Sequence, residues 1–355
     1  MIMRLLKSTM ILAGITLSFS IWAQEDRQIY IDQLKNEETV PAALSALYEK
    51  YQLGGVRTVI RNLNEMPTSI GYSVIQTLGE LDLWRFRNDM IANVETAQTT
   101  EQKALAVYLL AELARRVDPA TFQELISASD TPDQVKMAAF SGLLRIRKPE
   151  YFDQFLDYLM SLEKEKKYSL DLYRFFNFRD ISQALFYYYK PKLEDRKFQN
   201  DAFFKTILHF VPKGETDLYE KMVVMRQKDH FPLMYTAIIK NGDVAALDFL
   251  VSHKKAKKMV DELETLRPLV MISAKGRKGA LEEKPQHYPI GSFLLRDLPQ
   301  PLIQGVALVR INDKGIPTVL EQASLTGQPL TYEQRALPRL EEWRPLEETQ
   351  LLYSF

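Results

Sequence analysis

The chain has 355 residues, with 46 basic and 46 acidic side chains and no cysteine. Balanced charge argues against nucleic acid as a partner, and the lack of cysteine excludes disulfides, thiol catalysis and a lipid-modified cysteine anchor. So long a chain is expected to hold more than one core or an elongated array of elements.

At the N-terminus, Arg4 and Lys7 precede an apolar stretch from Met10 to Trp22, which ends in Ala23 before Gln24-Glu25-Asp26. A basic start, a short apolar centre and a small final residue form the pattern of a cleaved secretory signal peptide, here residues 1–23. A spanning helix needs about 20 apolar residues, and this stretch is shorter and interrupted by Ser18 and Ser20. The expectation is export to the periplasm, with an uncleaved inner-membrane anchor as the alternative.

From Val40 to about Ile146 apolar residues recur at helical spacing. The breaks are marked by Gly54-Gly55, Pro67, Asp118-Pro119, Thr131-Pro132 and Lys148-Pro149. Ala46-Leu47, Leu78-Gly79-Glu80-Leu81, Leu110-Ala111-Glu112-Leu113 and Leu143-Leu144-Arg145-Ile146 occupy similar places about 32 to 34 residues apart. A period of that length predicts stacked helix pairs. The run Gln134 to Ile146 resembles the second helix of a HEAT-like repeat, with small residues where helices approach and leucines where they interlock, and Ala104 to Leu113 is similar. The resemblance implies an α-solenoid with a long concave surface; a compact helical bundle would use the same faces.

A looser echo lays Phe203–Val223 over Phe231–Val251, each reading helix, glycine turn, helix. Gly242 fits a left-handed helix-ending position, and Asp243 fits the cap of the next helix. The repeat region is carried over residues 24–266. Between the two echoes lie Tyr168, Tyr173, Phe175, Phe176, Phe178, Phe186, Tyr187, Tyr188 and Tyr189, interleaved with Arg174, Arg179 and Lys190. These aromatics suit either a groove for peptide or glycan or core packing on inward helix faces.

Motifs of chemistry are lacking. His209, His230, His253 and His287 are far apart with no metal-ligand spacing, and there is no nucleophile elbow, phosphate loop or dinucleotide fingerprint. No catalytic residue, metal or cofactor is assigned, and the chain is read as not an enzyme. The run Lys254-Lys255-Ala256-Lys257-Lys258 reads as a solvated helix end, with attraction to anionic lipid or cell-wall polymer as the alternative.

After Arg267-Pro268 the texture becomes polar and glycine-bearing, so residues 267–284 are expected to be a linker. Beyond it, Val306–Ile311 and Ile316–Ala323 flank a short polar turn and predict a β-hairpin. A helical stretch around Tyr332 to Trp343 and a final extended run, Thr349 to Phe355, follow.

The order Tyr288-Pro289, Gly-Val before an alternating strand, Asp-x-Gly turn, second strand, Ser-x-x-Gly, helix ending Trp-Arg and last strand resembles the TonB C-terminal domain over residues 285–355. The resemblance implies a small α+β unit that pairs its last strand with an extended peptide of an outer-membrane receptor. Carried over by position, the partner-binding residues are Tyr288, Pro289, Thr349, Leu351, Leu352, Tyr353 and Phe355. Pro338 departs from the family helix, where an interior proline costs about 3 kcal/mol, so the helix is expected to start near it. Pro345 stands where the family has an aromatic, and no proline-rich spacer precedes the module. Fold and binding mode therefore transfer, while energy transduction does not. The alternation of Leu351, Tyr353 and Phe355 also occurs in last strands of outer-membrane barrels, but no series of alternating strands precedes it.

Taken together, these features describe a mainly α protein, a helical-repeat solenoid followed by a small α+β module. The expected function is that of a periplasmic adaptor binding an outer-membrane or periplasmic protein, with membrane contact only indirect and glycan as a possible ligand. The alternatives are a cell-wall glycan-binding protein or hydrolase using the aromatic patch 168–189, and a membrane-anchored TonB-type transducer. Intact-mass measurement of the exported chain is expected to place its first residue at Gln24; retention of Met1 would favour the anchored form.

Overall fold

The computed structural model describes residues 27–36, 39–78, 81–167, 169, 175–176, 179–225, 227–282, 305–311, 317–325 and 349–354. The expected signal peptide, the segment carrying Tyr288 and Pro289, and the helix expected at 332–343 lie outside them. The described chain is mainly helical, with one small antiparallel sheet near its C-terminus. No helix among the described residues is long and apolar enough to cross a membrane.

After a short helix over residues 27–33 come α1 (Val40–Tyr51), α2 (Leu53–Arg61), α3 (Thr68–Leu78), α4 (Arg87–Thr96), α5 (Thr100–Ala111), α6 (Pro119–Ser127), α7 (Asp133–Arg145) and α8 (Pro149–Lys164). Their starts follow local chemistry. Thr99 and Gln102 form a reciprocal capping box on α5, and Asp118 accepts from the Ala120 N–H just ahead of Pro119 at the start of α6. Pro149 likewise occupies the first turn of α8, where its missing N–H costs nothing.

Gly54-Gly55, expected as a break, instead lies inside α2, and the chain turns at Gln52 with φ of 50°. A Cβ on Gly55 would stand 2.0 Å from the Leu47 carbonyl oxygen. The glycine therefore serves close approach of α2 to α1 rather than a turn.

Helices contact their neighbours along the chain. α5 packs on α3, α4 and α7, and α7 packs on α6 and α8. Three of the four echoing motifs sit where these helices end: Leu78 closes α3, Leu110 and Ala111 close α5, and Leu143 and Leu144 close α7, all buried, whereas Ala46-Leu47 lies inside α1. Polar bonds join equivalent places. Arg145 reaches both carboxylate oxygens of Glu112 at 2.9 and 2.6 Å, 33 residues earlier. Buried Asn93 donates to the Ile60 carbonyl at 2.6 Å, also 33 residues earlier, and so satisfies an oxygen near the end of α2.

The same neighbour-on-neighbour order continues through α9 (Arg179–Tyr189), α10 (Asp201–Phe210), α11 (Thr216–Val224), α12 (Phe231–Asn241) and α13 (Val244–Ser252). Gly242 ends α12 in the left-handed conformation, and Asp243 caps α13 through the Ala246 N–H. The fully buried Asp243 carboxylate also accepts from the Gly214 N–H at 2.6 Å. One buried charge thus ties the turn of one helix pair to the turn of the next, with both of its oxygens satisfied.

The segment expected to be a linker is helical through Glu282, as part of α14 (Val260–Glu282), with Pro268 inside it. Its buried residues Leu263, Leu266, Leu269, Val270 and Ser273 keep helical spacing, so an apolar stripe carries the helix into the polar, glycine-bearing run. α14 packs on α12 and α13, and also on all three strands of the sheet: β1 (Gly305–Ile311), β2 (Pro317–Ser324) and β3 (Thr349–Ser354). The sheet is antiparallel in the order β2-β1-β3. Val306 and Leu308 of β1 join the common core, and Lys275 of α14 holds Glu321 of β2 at 2.6 Å.

Gly242 fixes the approach of α14, because a Cβ there would lie 2.6 Å from the Ala274 nitrogen and 2.7 Å from its Cα. Gly242→Ala is expected to lose about 2–4 kcal/mol, from left-handed strain plus overpacking against backbone. Gly214→Ala, at φ of 91° with nothing within 4 Å, should lose only the strain, about 1–2 kcal/mol. Urea unfolding of both variants checks the ranking; equal losses would remove the close approach as the cause.

Candidate protein-docking edge

A central strand uses its backbone groups on both sides, whereas a marginal strand leaves one row for another partner. β3 is marginal. It pairs with β1 at six successive positions, from Val306 opposite Ser354 to Ile311 opposite Thr349, without a bulge. Among the described residues, no strand pairs with its other side.

The opposite margin, β2, is built differently. Pro317 opens it, and Leu320 is an extra residue where the register slips between Leu308 and Val309. Glu321 adds a charge held by Lys275. Proline, bulges and charge all discourage edge pairing. The six residues of β3, Thr349-Gln350-Leu351-Leu352-Tyr353-Ser354, contain no proline, glycine or charge.

Thr349, Leu351, Leu352 and Tyr353 are therefore brought together on one strand, while Phe355, Tyr288 and Pro289 lie outside the described residues. Gln350 and Ser354 belong to the same edge, within the final run expected to be a strand over Thr349 to Phe355, since strand pairing uses the backbone of every residue and not only the apolar ones.

The aromatic patch is largely interior. Phe175, Phe176, Phe186 and Tyr189 are fully enclosed. Phe175 meets Tyr72 and Tyr108 edge-on, with ring centroids 5.4 and 5.6 Å apart, and Phe176 meets Phe155 at 4.9 Å. The Tyr189 hydroxyl donates to the Phe152 carbonyl at 2.7 Å. At these positions the groove expectation gives way to core packing, because aromatics successive on a helix must point in different directions and most meet neighbouring helices. Tyr168, Tyr173, Arg174 and Phe178 lie outside the described residues.

Two tyrosines of α9 reach the surface, each on a carboxylate. Tyr188 donates to Asp153 at 2.7 Å, and Lys192 holds the second Asp153 oxygen at 3.0 Å. Desolvation and the Asp153 bond push Tyr188 up to about 12. Burial works to raise Asp153, but the bonds from Tyr188 and Lys192 outweigh it and hold the carboxyl below its ordinary range. The exposed Tyr187 is raised by its bond to Glu215, a carboxylate that also pairs with Lys190. Both clusters are closed ion networks.

The histidines act singly. His230 bonds Asp201 at 2.5 Å, and His253 bonds Glu220 at 3.1 Å. His287 lies outside the described residues. Among the described residues, no group of three or more His, Asp or Glu is arranged to hold a metal ion. Comparison with protein-family models, curated proteins and solved structures finds no match to this chain.

Desolvation and the Lys240 ammonium hold His209 well below its ordinary value of 6.5. The unfolded chain therefore accepts a proton that folded His209 refuses, and stability should begin to fall as pH drops through about 6.5. A second loss is expected below the ordinary aspartate value of 3.8. Asp153 and Asp201 lie under that value because Tyr188 with Lys192, and Lys205 with His230, outweigh the opposing effect of burial. Thermal unfolding across pH 7 to 3 should show both limbs, and His209→Gln should flatten the first alone; a wild-type profile level from pH 7 to 5 contradicts the assignment.

Proposed function

We propose that the protein is a non-enzymatic periplasmic adaptor. In this reading its helix pairs form a HEAT-like solenoid that carries a TonB-like α+β head, and β3 receives an extended segment of another envelope protein as an added strand. The observation that carries the proposal is the contrast between the two sheet margins. β2 bears a proline, a bulge and a charge, whereas β3 is regular, uncharged and paired on one side among the described residues.

Strand addition draws affinity from backbone hydrogen bonds and selectivity from alternate side chains. The rigid support it needs is supplied by α14, which underlies all three strands and is braced by α12 and α13. The separations of 25 to 39 residues between polar partners such as Lys190 with Glu215, Glu112 with Arg145 and Glu163 with the Ala202 N–H favour a stack in which each pair rests on the next. The glycan-binding or hydrolytic alternative is weakened by the enclosure of Phe175, Phe176, Phe186 and Tyr189.

The test uses the full chain as bait against solubilised envelope proteins. A discrete protein should be captured, at least about tenfold less when residues 349–355 are deleted, while helical content and thermal unfolding of the repeat region are unchanged. In the complex, amide hydrogen exchange of β3 should slow and that of β2 should not. Undiminished capture by the truncated chain, or protection confined to β2, rejects the proposal.

A further inference from the structure

The lysine run remains after the sheet edge has been accounted for, and it is independent of strand pairing. Lys254 to Met259 form a 3-10 turn between α13 and α14. Ala256 is fully buried and pins the turn, while Lys254, Lys255, Lys257 and Lys258 are all exposed. Among the described residues none of the four has an ion-pair or hydrogen-bond partner for its ammonium group.

Three nearby carboxylates are engaged elsewhere: Glu220 bonds His253 at 3.1 Å, and Asp248 and Glu264 hold Arg267 at 2.7 and 2.6 Å. Asp261 and Glu262, both exposed, follow the turn and stand against its four lysines. Lys254 follows the end of α13, where a cation is favoured, but Lys257 and Lys258 stand just ahead of α14, where the helix dipole disfavours them. Four like charges on one turn also repel one another. Among the described residues, the turn thus holds more positive charge than the carboxylates beside it compensate.

From this we infer that the α13–α14 turn docks the protein on an anionic lipid surface. Lysine carries a compact charge on a long flexible stem and lacks the planar fork that reads a defined carboxylate or phosphate. Four of them around a buried alanine match a diffuse negative surface. The flanks suit an interface as well. Val224, one helical turn beyond Glu220, is 41% exposed, and Met259 and Val260 are half-buried at the end of the turn. Membrane contact, expected only through a partner, then becomes direct.

Vesicle co-sedimentation of the full chain tests this. It should bind vesicles containing phosphatidylglycerol at low salt, bind pure phosphatidylcholine vesicles weakly, and release from the anionic ones at high salt. Changing all four lysines to glutamine should lower binding at least about tenfold, and changing all four to arginine should preserve it. The apolar N-terminal stretch is common to every variant and cancels in the comparison. Equal binding to the two vesicle types, insensitivity to salt, or full binding by the glutamine variant overturns the inference. Binding of inorganic polyphosphate without vesicle binding also overturns it, in favour of a soluble polyanion.

Discussion

The contact on which the molecule turns is the passage of α14 against the left-handed bend at Gly242. The absence of a side chain there lets the Ser273–Ala274 backbone come within a distance that no Cβ tolerates. From that point the helix packs on the sheet, so the same rod covers α12 and α13 and supports the strands. A small sheet draws its stability from an apolar face or from packing against a helix. Val306 and Leu308 gain theirs by joining a core that belongs mostly to helices.

Coupling of this kind explains why the polar bonds sit where they do. Each helix end leaves carbonyl and amide groups without partners, and in this chain side chains of a neighbouring pair supply several of them: Asn93 serves Ile60, Asn241 serves Val211 and Asp243 serves Gly214. Breaking one junction leaves buried polar groups unpaired on both sides, which costs more than the bond itself is worth. The joints therefore hold register along the helices, and the last joint sets the position of α14.

Much of this was legible in the sequence. Gly242 and Asp243 were readable because a glycine followed by a capping residue has one dominant local use. The strands were readable because β-rich runs bounded by turn residues are distinctive. The run 267–282, expected to be a linker, is helical: Pro268, Gly276 and Gly279 lower local propensity, while the buried stripe Leu263, Leu266, Leu269, Val270 and Ser273 restores the helix through tertiary packing. Gly54-Gly55 was misread for a related reason: close approach of two helices and a turn demand the same residue. The candidate edge was half legible. Composition marked β3 as a strand, but its marginal position depends on strand order, and order is a property of the folded sheet.

Strand order has a further consequence. In the order β2-β1-β3, a partner cannot replace β1 without dismantling the sheet, and β2 resists addition through its bulge and proline. Among the described residues, the proposed strand addition is therefore confined to one side of the sheet. Backbone pairing alone would accept any extended segment, so selectivity must come from what lies above and below that strand. One of those faces continues the surface of α14, which the Gly242 contact positions; in the proposed strand addition, accuracy of recognition at the edge would then be set by packing at a glycine between helices.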